Sequence, residues 1–284
     1  MTVTIKQAVE VASAELSQSD SPRFDAELLL AHSLSVERSY LFAYPERILS
    51  DASRQRFDEL ICRRSQSEPI AYIIGKKSFW DLTLQVSPSV LIPRPETELL
   101  VETALGLGAS SEPLRVTDLG TGSGAIALAI AKSRPRWHIT GSDISPDALA
   151  IARQNLKTLG LTNVSLTEGS WCDALPSGKV DIIISNPPYV APSEYHLLLG
   201  DLRFEPVSAL RAESAGYRDL QVIAAQATKK LASGGWLLLE HGHAQQATLI
   251  AYLWECGYRE VEGKRDLAGV PRMVKARWLR PARD

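Results

Sequence analysis

Val180-Asp181-Ile182-Ile183-Ile184-Ser185-Asn186-Pro187-Pro188-Tyr189 is an apolar run closed by two prolines. Val180 to Ile184 is too short for a helix and reads as a buried strand. The consecutive prolines forbid helix and remove two ladder donors, so the chain must leave the sheet there. A carboxamide, two rigid backbone carbonyls and a phenol are thereby set at the carboxyl end of a strand, where open α/β sheets bind ligands. The Asn186 side-chain oxygen and the Pro187 backbone oxygen both accept hydrogen bonds, so together they can grip the two N–H groups of a planar amide or amino group. Tyr189 offers a ring face on which such a group can lie. A nitrogen held this way needs no strong base if its electrophile is a sulfonium methyl; positioning and electrostatics then supply the catalysis. The plainer reading of the same residues is a proline-rich turn with Asn186 as a local cap.

Upstream, Leu114 to Leu119 reads as another buried strand, followed by Gly120-Thr121-Gly122-Ser123-Gly124 and an apolar helix, Ala125 to Ala131. Glycines let the backbone turn tightly and let a ligand approach a helix N-terminus. The next strand, Trp137 to Ser142, ends at Asp143, 25 positions after Asp118. An acid at that point suits the two hydroxyls of a ribose, and with the glycine loop it indicates an adenosine-containing cofactor. Gly120, Gly122 and Ala125 also satisfy the dinucleotide fingerprint, so the loop leaves NAD and S-adenosylmethionine both open. Trp171 follows a third strand, Val164 to Thr167; its place after a strand end favours covering an adenine ring over the plainer reading of a tryptophan packed under a loop.

Farther along, Tyr217 to Leu231 is expected to be helix stopped at Gly234-Gly235, and Trp236 to Glu240 a fifth strand. Arg259 to Lys264 and Met273 to Trp278 read as strands whose short joining loop makes them antiparallel. A parallel sheet finished by such a hairpin suits a methyltransferase better than a nicotinamide dehydrogenase. The polar connection from Ala191 to Ser214, with Glu194, Tyr195, His196, Asp201, Arg203, Phe204 and Glu205, is long enough for a lid or substrate-facing loop. His241 and His243 read as turn residues, with no third ligand for a metal.

Residues 1 to about 75 carry helical periodicity, as in Ile5, Val9, Ala12 and Leu16. Ser21-Pro22 and Ser50 are helix starts. This part holds no catalytic grouping; it is expected to be a small helical bundle, with docking of a macromolecular substrate as its functional reading. The stretch from Glu68 to Gly75 breaks the pattern. Phe79 to Val86 alternates as a strand, and Val90 to Ile92 returns as the second arm of a hairpin. Pro93-Arg94-Pro95-Glu96-Thr97-Glu98 opens a helix through Ala104; its glutamates suit the helix dipole, a reading put ahead of the alternative that Arg94, Glu96 and Glu98 line the mouth of an active site.

The 284 residues accommodate one large domain with a smaller one. A net charge of -2 supplies no global basic field for nucleic acid. Cys62, Cys172 and Cys256 are scattered and odd in number, which fits a reducing cytosol rather than a disulfide framework or zinc site. No apolar run reaches membrane-spanning length, and Met1 to Glu10 lacks the pattern of a signal peptide.

With EPIAYIIG at 68–75, LIPRPETE at 91–98, DLGTGSGAIALAIA at 118–131, SNPPYV at 185–190 and DLAGVPR at 266–272, the chain resembles the HemK-type protein-(glutamine-N5) methyltransferases. The Asn-Pro-Pro-Tyr motif alone is shared with DNA adenine and other amino-group methyltransferases; joined to the other motifs it is far more specific. The resemblance implies a seven-stranded, mostly parallel Rossmann-like α/β domain at 94–284, a helical docking domain at 1–75 and a β-hairpin linker at 76–93. It implies S-adenosyl-L-methionine as cofactor, leaving as S-adenosyl-L-homocysteine, with no metal. Gly120, Thr121, Gly122, Ser123, Gly124, Asp143, Trp171 and Asn186 are expected to bind it. Asn186, Pro187, Pro188 and Tyr189 are expected to hold the substrate amide, with Asn186, Pro187 and Tyr189 catalytic. The implied substrate is the glutamine in the Gly-Gly-Gln motif of class 1 peptide chain release factors, in the cytoplasm, with no direct need for nucleic acid or membrane; a monomer is expected. The competing readings are a nucleic-acid amino-group methyltransferase, a nicotinamide-dependent oxidoreductase and a non-catalytic translation adaptor.

Overall fold

The apolar runs and proline stops separate helix from strand along most of the chain. A computed structural model describes residues 2–175, 177–190, 200–210 and 216–280. It divides into two compact units, one comprising Met1–Lys76 and Leu199–Phe204, the other Lys77–Leu198 and Glu205–Asp284.

The first unit is built from α1 (Ile5–Glu15), α2 (Pro22–Leu34), α3 (Arg38–Ala43), α4 (Asp51–Ser65) and α5 (Ile70–Ile74). Thr4 and Gln7 form a reciprocal capping box at the start of α1, and Ser50 caps α4. Ile5, Val9, Leu29, Leu30, Phe57 and Ile61 make its core. The segment 68–75, expected to break the helical pattern, contains α5 instead. Pro69 stands at the N-cap of that helix, where its missing N–H costs nothing, and Ile73 joins the core. Asp25 is buried because Arg64 pairs with it at 2.8 Å; Arg64 also reaches Asp201 at 2.7 Å.

The second unit begins with a hairpin of β1 (Lys76–Phe79) and β2 (Leu82–Gln85). The alternation from Phe79 to Val86 is thus not one strand. Trp80 takes a left-handed φ of 55° and turns the chain, and its N–H is satisfied by Glu98 Oε1 at 2.8 Å. Val90 to Ile92 forms no strand. A short 3₁₀ turn at Pro95–Thr97 leads into α6 (Glu98–Leu105).

Then follow β3 (Arg115–Leu119), α7 (Ala125–Ser133), β4 (His138–Asp143), α8 (Pro146–Leu159), β5 (Val164–Glu168), β6 (Val180–Ser185), α9 (Val207–Leu210), α10 (Arg218–Lys230), β7 (Leu231–Glu240), α11 (Gln246–Glu255), β8 (Arg259–Arg265) and β9 (Pro271–Arg277). The last seven strands form one sheet in the order β5-β4-β3-β6-β7-β9-β8. Pairing is parallel from β5 through β7; β9 runs antiparallel to both β7 and β8, as the short loop required. Strand β7 starts at Leu231, immediately after α10, so Gly234 and Gly235 lie within it rather than stopping a helix.

The period-two alternation sorts the sheet's side chains onto two cores. Val116, Ile182, Ile184 and Leu238 face α6 and α7, whereas Leu119, Ile183, Leu237 and Leu239 face α10 and α11. Helix α7 is buried all round, because Ala125–Ala131 presents apolar atoms to every neighbour. Ile184 has no exposed surface. Ile184→Ala is therefore expected to cost about 2–5 kcal/mol, read as a lower denaturation midpoint in urea with an unchanged slope.

Candidate active site

The strand ends β3, β4 and β6 converge on a cavity of about 470 Å³. It is lined by Gly120, Thr121, Gly122, Ser123, Asp143, Trp171, Asn186 and Pro188, among others. Eight of the residues singled out in the sequence thus share one wall. Gly124, Pro187 and Tyr189 do not line it.

The loop after β3 turns through three left-handed glycines, Gly120, Gly122 and Gly124, with φ of 70°, 55° and 85°. A Cβ on Gly124 would lie 2.8 Å from Leu128 Cδ1, so this glycine is needed for packing as well as for its backbone angle. Above Gly122 no atom lies within 4 Å of the Cβ position, leaving bare backbone for a ligand to approach. At Gly120 the corresponding point is 3.4 Å from the Trp171 ring. Asp143, at the end of β4, accepts from Gly122 N–H at 2.9 Å through Oδ2 and from Ser145 N–H at 2.9 Å through Oδ1. Each carboxylate oxygen keeps a lone pair for a further donor, such as a ribose hydroxyl. Bare glycine backbone, an indole ring and an anchored acid with spare acceptor capacity together fit an adenosine-bearing cofactor.

Asp118 anchors the same loop from below. It is buried, and its Oδ2 accepts from Thr121 Oγ1 at 2.6 Å and from Ala127 N–H at 3.2 Å, while Oδ1 has no partner among the described residues. Burial pushes its pKa up to about 7 against the pull of those two bonds. An acid raised in the folded state binds more protons there than in the unfolded chain, so its contribution to stability falls as pH rises between the two values. The stability of the wild type relative to Asp118→Asn is expected to increase as pH is lowered from about 8 through 7 toward 4, measured by urea titrations at each pH.

At the end of β6, Asn186 Nδ2 donates to Thr97 Oγ1 at 3.1 Å. That leaves Asn186 Oδ1 available as an acceptor on the cavity wall. Tyr189 is placed differently from the expectation of an open ring face: it is largely buried, and its hydroxyl donates to Glu240 Oε1 at 3.3 Å. Burial and the neighbouring carboxylate raise the Tyr189 pKa, so the phenol stays protonated. Glu240, at the end of β7, is 2 % exposed, and its pKa is pushed up to about 7 chiefly by burial, with Thr97, Tyr189 and Arg272 opposing. Arg94 lines the cavity and is ion-paired to the fully buried Glu205, which also accepts from Ile92 N–H at 3.1 Å.

Sequence reading passed over Thr97 and Glu240 as site residues and named Glu205 only as part of the polar connection. Glu240 did carry a signal: it is an acid closing the apolar run Trp236-Leu237-Leu238-Leu239. Thr97 carried none, since its partner Asn186 is distant in the chain. His241, expected in a turn, is fully buried with Nδ1 at 2.8 Å from Gly242 O, and burial lowers its pKa. Among the described residues, no three His, Cys, Asp or Glu side chains cluster as metal ligands. No described helix is long and apolar enough to cross a membrane. Of the expected lid, Glu194, Tyr195 and His196 lie outside the described residues; Gly200–Phe204 forms a 3₁₀ turn.

Comparison with known proteins adds an independent line. Residues 7–75 match the model of the PrmC N-terminal domain, and residues 110–264 match a methyltransferase domain. A release factor glutamine methyltransferase of Coxiella burnetii is 46% identical over 97% of this chain and 99% of its own length. One from Pseudomonas aeruginosa is 47% identical over 93% and 96%, respectively. Among solved structures, a methyltransferase from Pyrococcus furiosus superposes with a TM-score of 0.54 at 17% identity, over 72% of this chain and 92% of that one, a likeness of fold.

Proposed function

The chain belongs to the release factor glutamine methyltransferase family, and from that premise we propose that it methylates the side-chain amide nitrogen, N5, of the glutamine in the Gly-Gly-Gln motif of class 1 release factors. Its cofactor in this reading is S-adenosyl-L-methionine, which supplies an electrophilic methyl on a sulfonium. Residues 1–75 dock the protein substrate, 94–284 carry the chemistry, and 76–93 join them. The enzyme works as a monomer in the cytoplasm, where translation terminates, without a nucleic acid.

One observation carries the proposal: the Asn186 carboxamide is held on the wall shared with the glycine loop, with its NH2 engaged by Thr97 and its oxygen unpaired among the described residues. An oxygen so fixed accepts one amide N–H of the incoming glutamine, and the Pro187 carbonyl accepts the other. The glutamine nitrogen is a poor nucleophile because its lone pair is delocalised, so rate must come from alignment in a site closed to water. A neutral clamp also suits the charge change. Positive charge on sulfur disappears during transfer, and a strongly anionic wall would hold the ground state back. Gly120, Thr121, Gly122, Ser123, Gly124, Asp143 and Trp171 would hold the adenosine part, as the bare backbone and spare lone pairs suggest. The test is mass spectrometry of a release factor incubated with the protein and cofactor: one added methyl on the loop glutamine is expected, and label on DNA instead would reject the proposal.

A further inference from the structure

Strands β6 and β7 pair in parallel with Ser185 opposite Leu239, so Asn186, the residue just past β6, and Glu240, the last of β7, come next on each side. Parallel partners project to the same face, which here is the face covered by α6. Thr97 stands at the N-cap of α6, yet its hydroxyl makes no capping bond to that helix. It accepts from Asn186 Nδ2 instead, at 3.1 Å. A hydroxyl that has accepted still has a proton to give. The group facing it is the Glu240 carboxyl, whose Oε2 is buried with no partner among the described residues while Oε1 accepts from Tyr189.

We infer that Glu240 is a positioning residue for the amide clamp, acting through Thr97 and Tyr189, an inference that rests on the methyltransferase reading above. In its ionised form, which prevails above about pH 7, Glu240 only accepts, so it draws the Thr97 proton toward itself. Thr97 Oγ1 can then only accept from position 186, which compels the Asn186 NH2 to face Thr97 and its oxygen to face the cavity. An Asn amide without this constraint can flip, presenting NH2 to the NH2 of the substrate, where donor meets donor and the docked amide is left misaligned for transfer. The same carboxylate ties down Tyr189, at the far end of the double-proline turn. One side chain thus fixes both ends of the segment that carries the Pro187 carbonyl.

The test compares Thr97→Val, Thr97→Ser and Glu240→Gln with the wild type, using release factor and cofactor. Valine keeps the shape of threonine and removes the acceptor. Serine restores it. Glutamine keeps the length of Glu240 but offers one acceptor oxygen where two donors converge. Thr97→Val and Glu240→Gln are each expected to lower kcat about tenfold to a hundredfold, the scale of a misplaced reacting group. KM for the release factor, cofactor Kd and Tm are expected to stay close to wild type, and Thr97→Ser to recover most of kcat. The double variant should be little worse than either single one, because both cut the same chain of bonds. The side-chain 15N cross-peaks of Asn186, identified by their loss in Asn186→Ala, should move in both single variants even with no substrate present. Wild-type kcat in both variants would overturn the inference. So would losses that follow Tm or cofactor Kd, a Thr97→Ser variant as poor as valine, or unmoved Asn186 cross-peaks. If Glu240→Gln fails to fold, the valine–serine pair and the cross-peaks decide. A wild type that leaves release factor unmethylated would instead defeat the functional reading, and the cross-peaks would still judge Glu240.

Discussion

Asn186→Ala is expected to lower kcat for methyl transfer about 10³-fold, the usual scale for deleting a preorganised polar group aimed at the reacting atoms. Alanine removes the oxygen proposed to grip the substrate amide and leaves Thr97 without the Asn186 donor. The fold should survive, because the double-proline turn and the buried strand before it are untouched, and Ile182, Ile183 and Ile184 remain in their two cores. Cofactor Kd should move at most about tenfold, since a single wall contact is lost. Asn186→Asp separates positioning from charge. Aspartate still accepts, but it cannot donate to Thr97, and it places a second carboxylate beside Glu240. A negative charge next to a sulfonium favours the bound ground state, so cofactor affinity should hold or rise while kcat falls. Parallel isothermal titration of cofactor and single-turnover transfer to release factor distinguish the two variants.

Asp143→Ala is expected to act on the cofactor instead, weakening its affinity by at least about two orders of magnitude, the cost of losing hydrogen bonds to a charged acceptor. The carboxylate bonds Gly122 N–H and Ser145 N–H, so its removal loosens the glycine loop and the start of α8 together. It also removes the acceptor proposed for the ribose. Asp143→Asn keeps one acceptor oxygen and should fall between. At saturating cofactor the kcat of Asp143→Ala should return to within about tenfold of wild type, because nothing at Asn186 has changed. A kcat loss that saturation cannot repair would mean that Asp143 serves the reaction step itself.

Local chemistry made much of this readable before any coordinates. Two prolines end a strand wherever they stand, so the tip of β6 was legible from Pro187 and Pro188. Glycine spacing and a run of alanines marked the loop and α7, and a short loop set β8 against β9. Misreadings arose where the deciding contact was tertiary. Trp80 carries no turn signature, and its left-handed φ is tolerated because Glu98 satisfies its N–H. The stretch 68–75 read as a break in the helical pattern, yet Pro69 stands at the N-cap of α5 within it. Gly234-Gly235 read as a helix stop because β7 begins directly at the end of α10, with no loop between them. In the site, the residues on the wall were visible as motifs, whereas Thr97 and Glu240 became meaningful only through sheet register and the placement of α6.

In the proposed reaction a carboxamide clamp at the tip of β6 presents a glutamine amide to a methyl donor. The most direct measurement is intact and fragment mass spectrometry of a class 1 release factor incubated with isotope-labelled S-adenosylmethionine and either wild-type protein or Asn186→Ala. One labelled methyl on the glutamine of the Gly-Gly-Gln motif, absent from Asn186→Ala and from a release factor with alanine at that position, is the expected result. Label elsewhere on the factor, or equal label with Asn186→Ala, would contradict it.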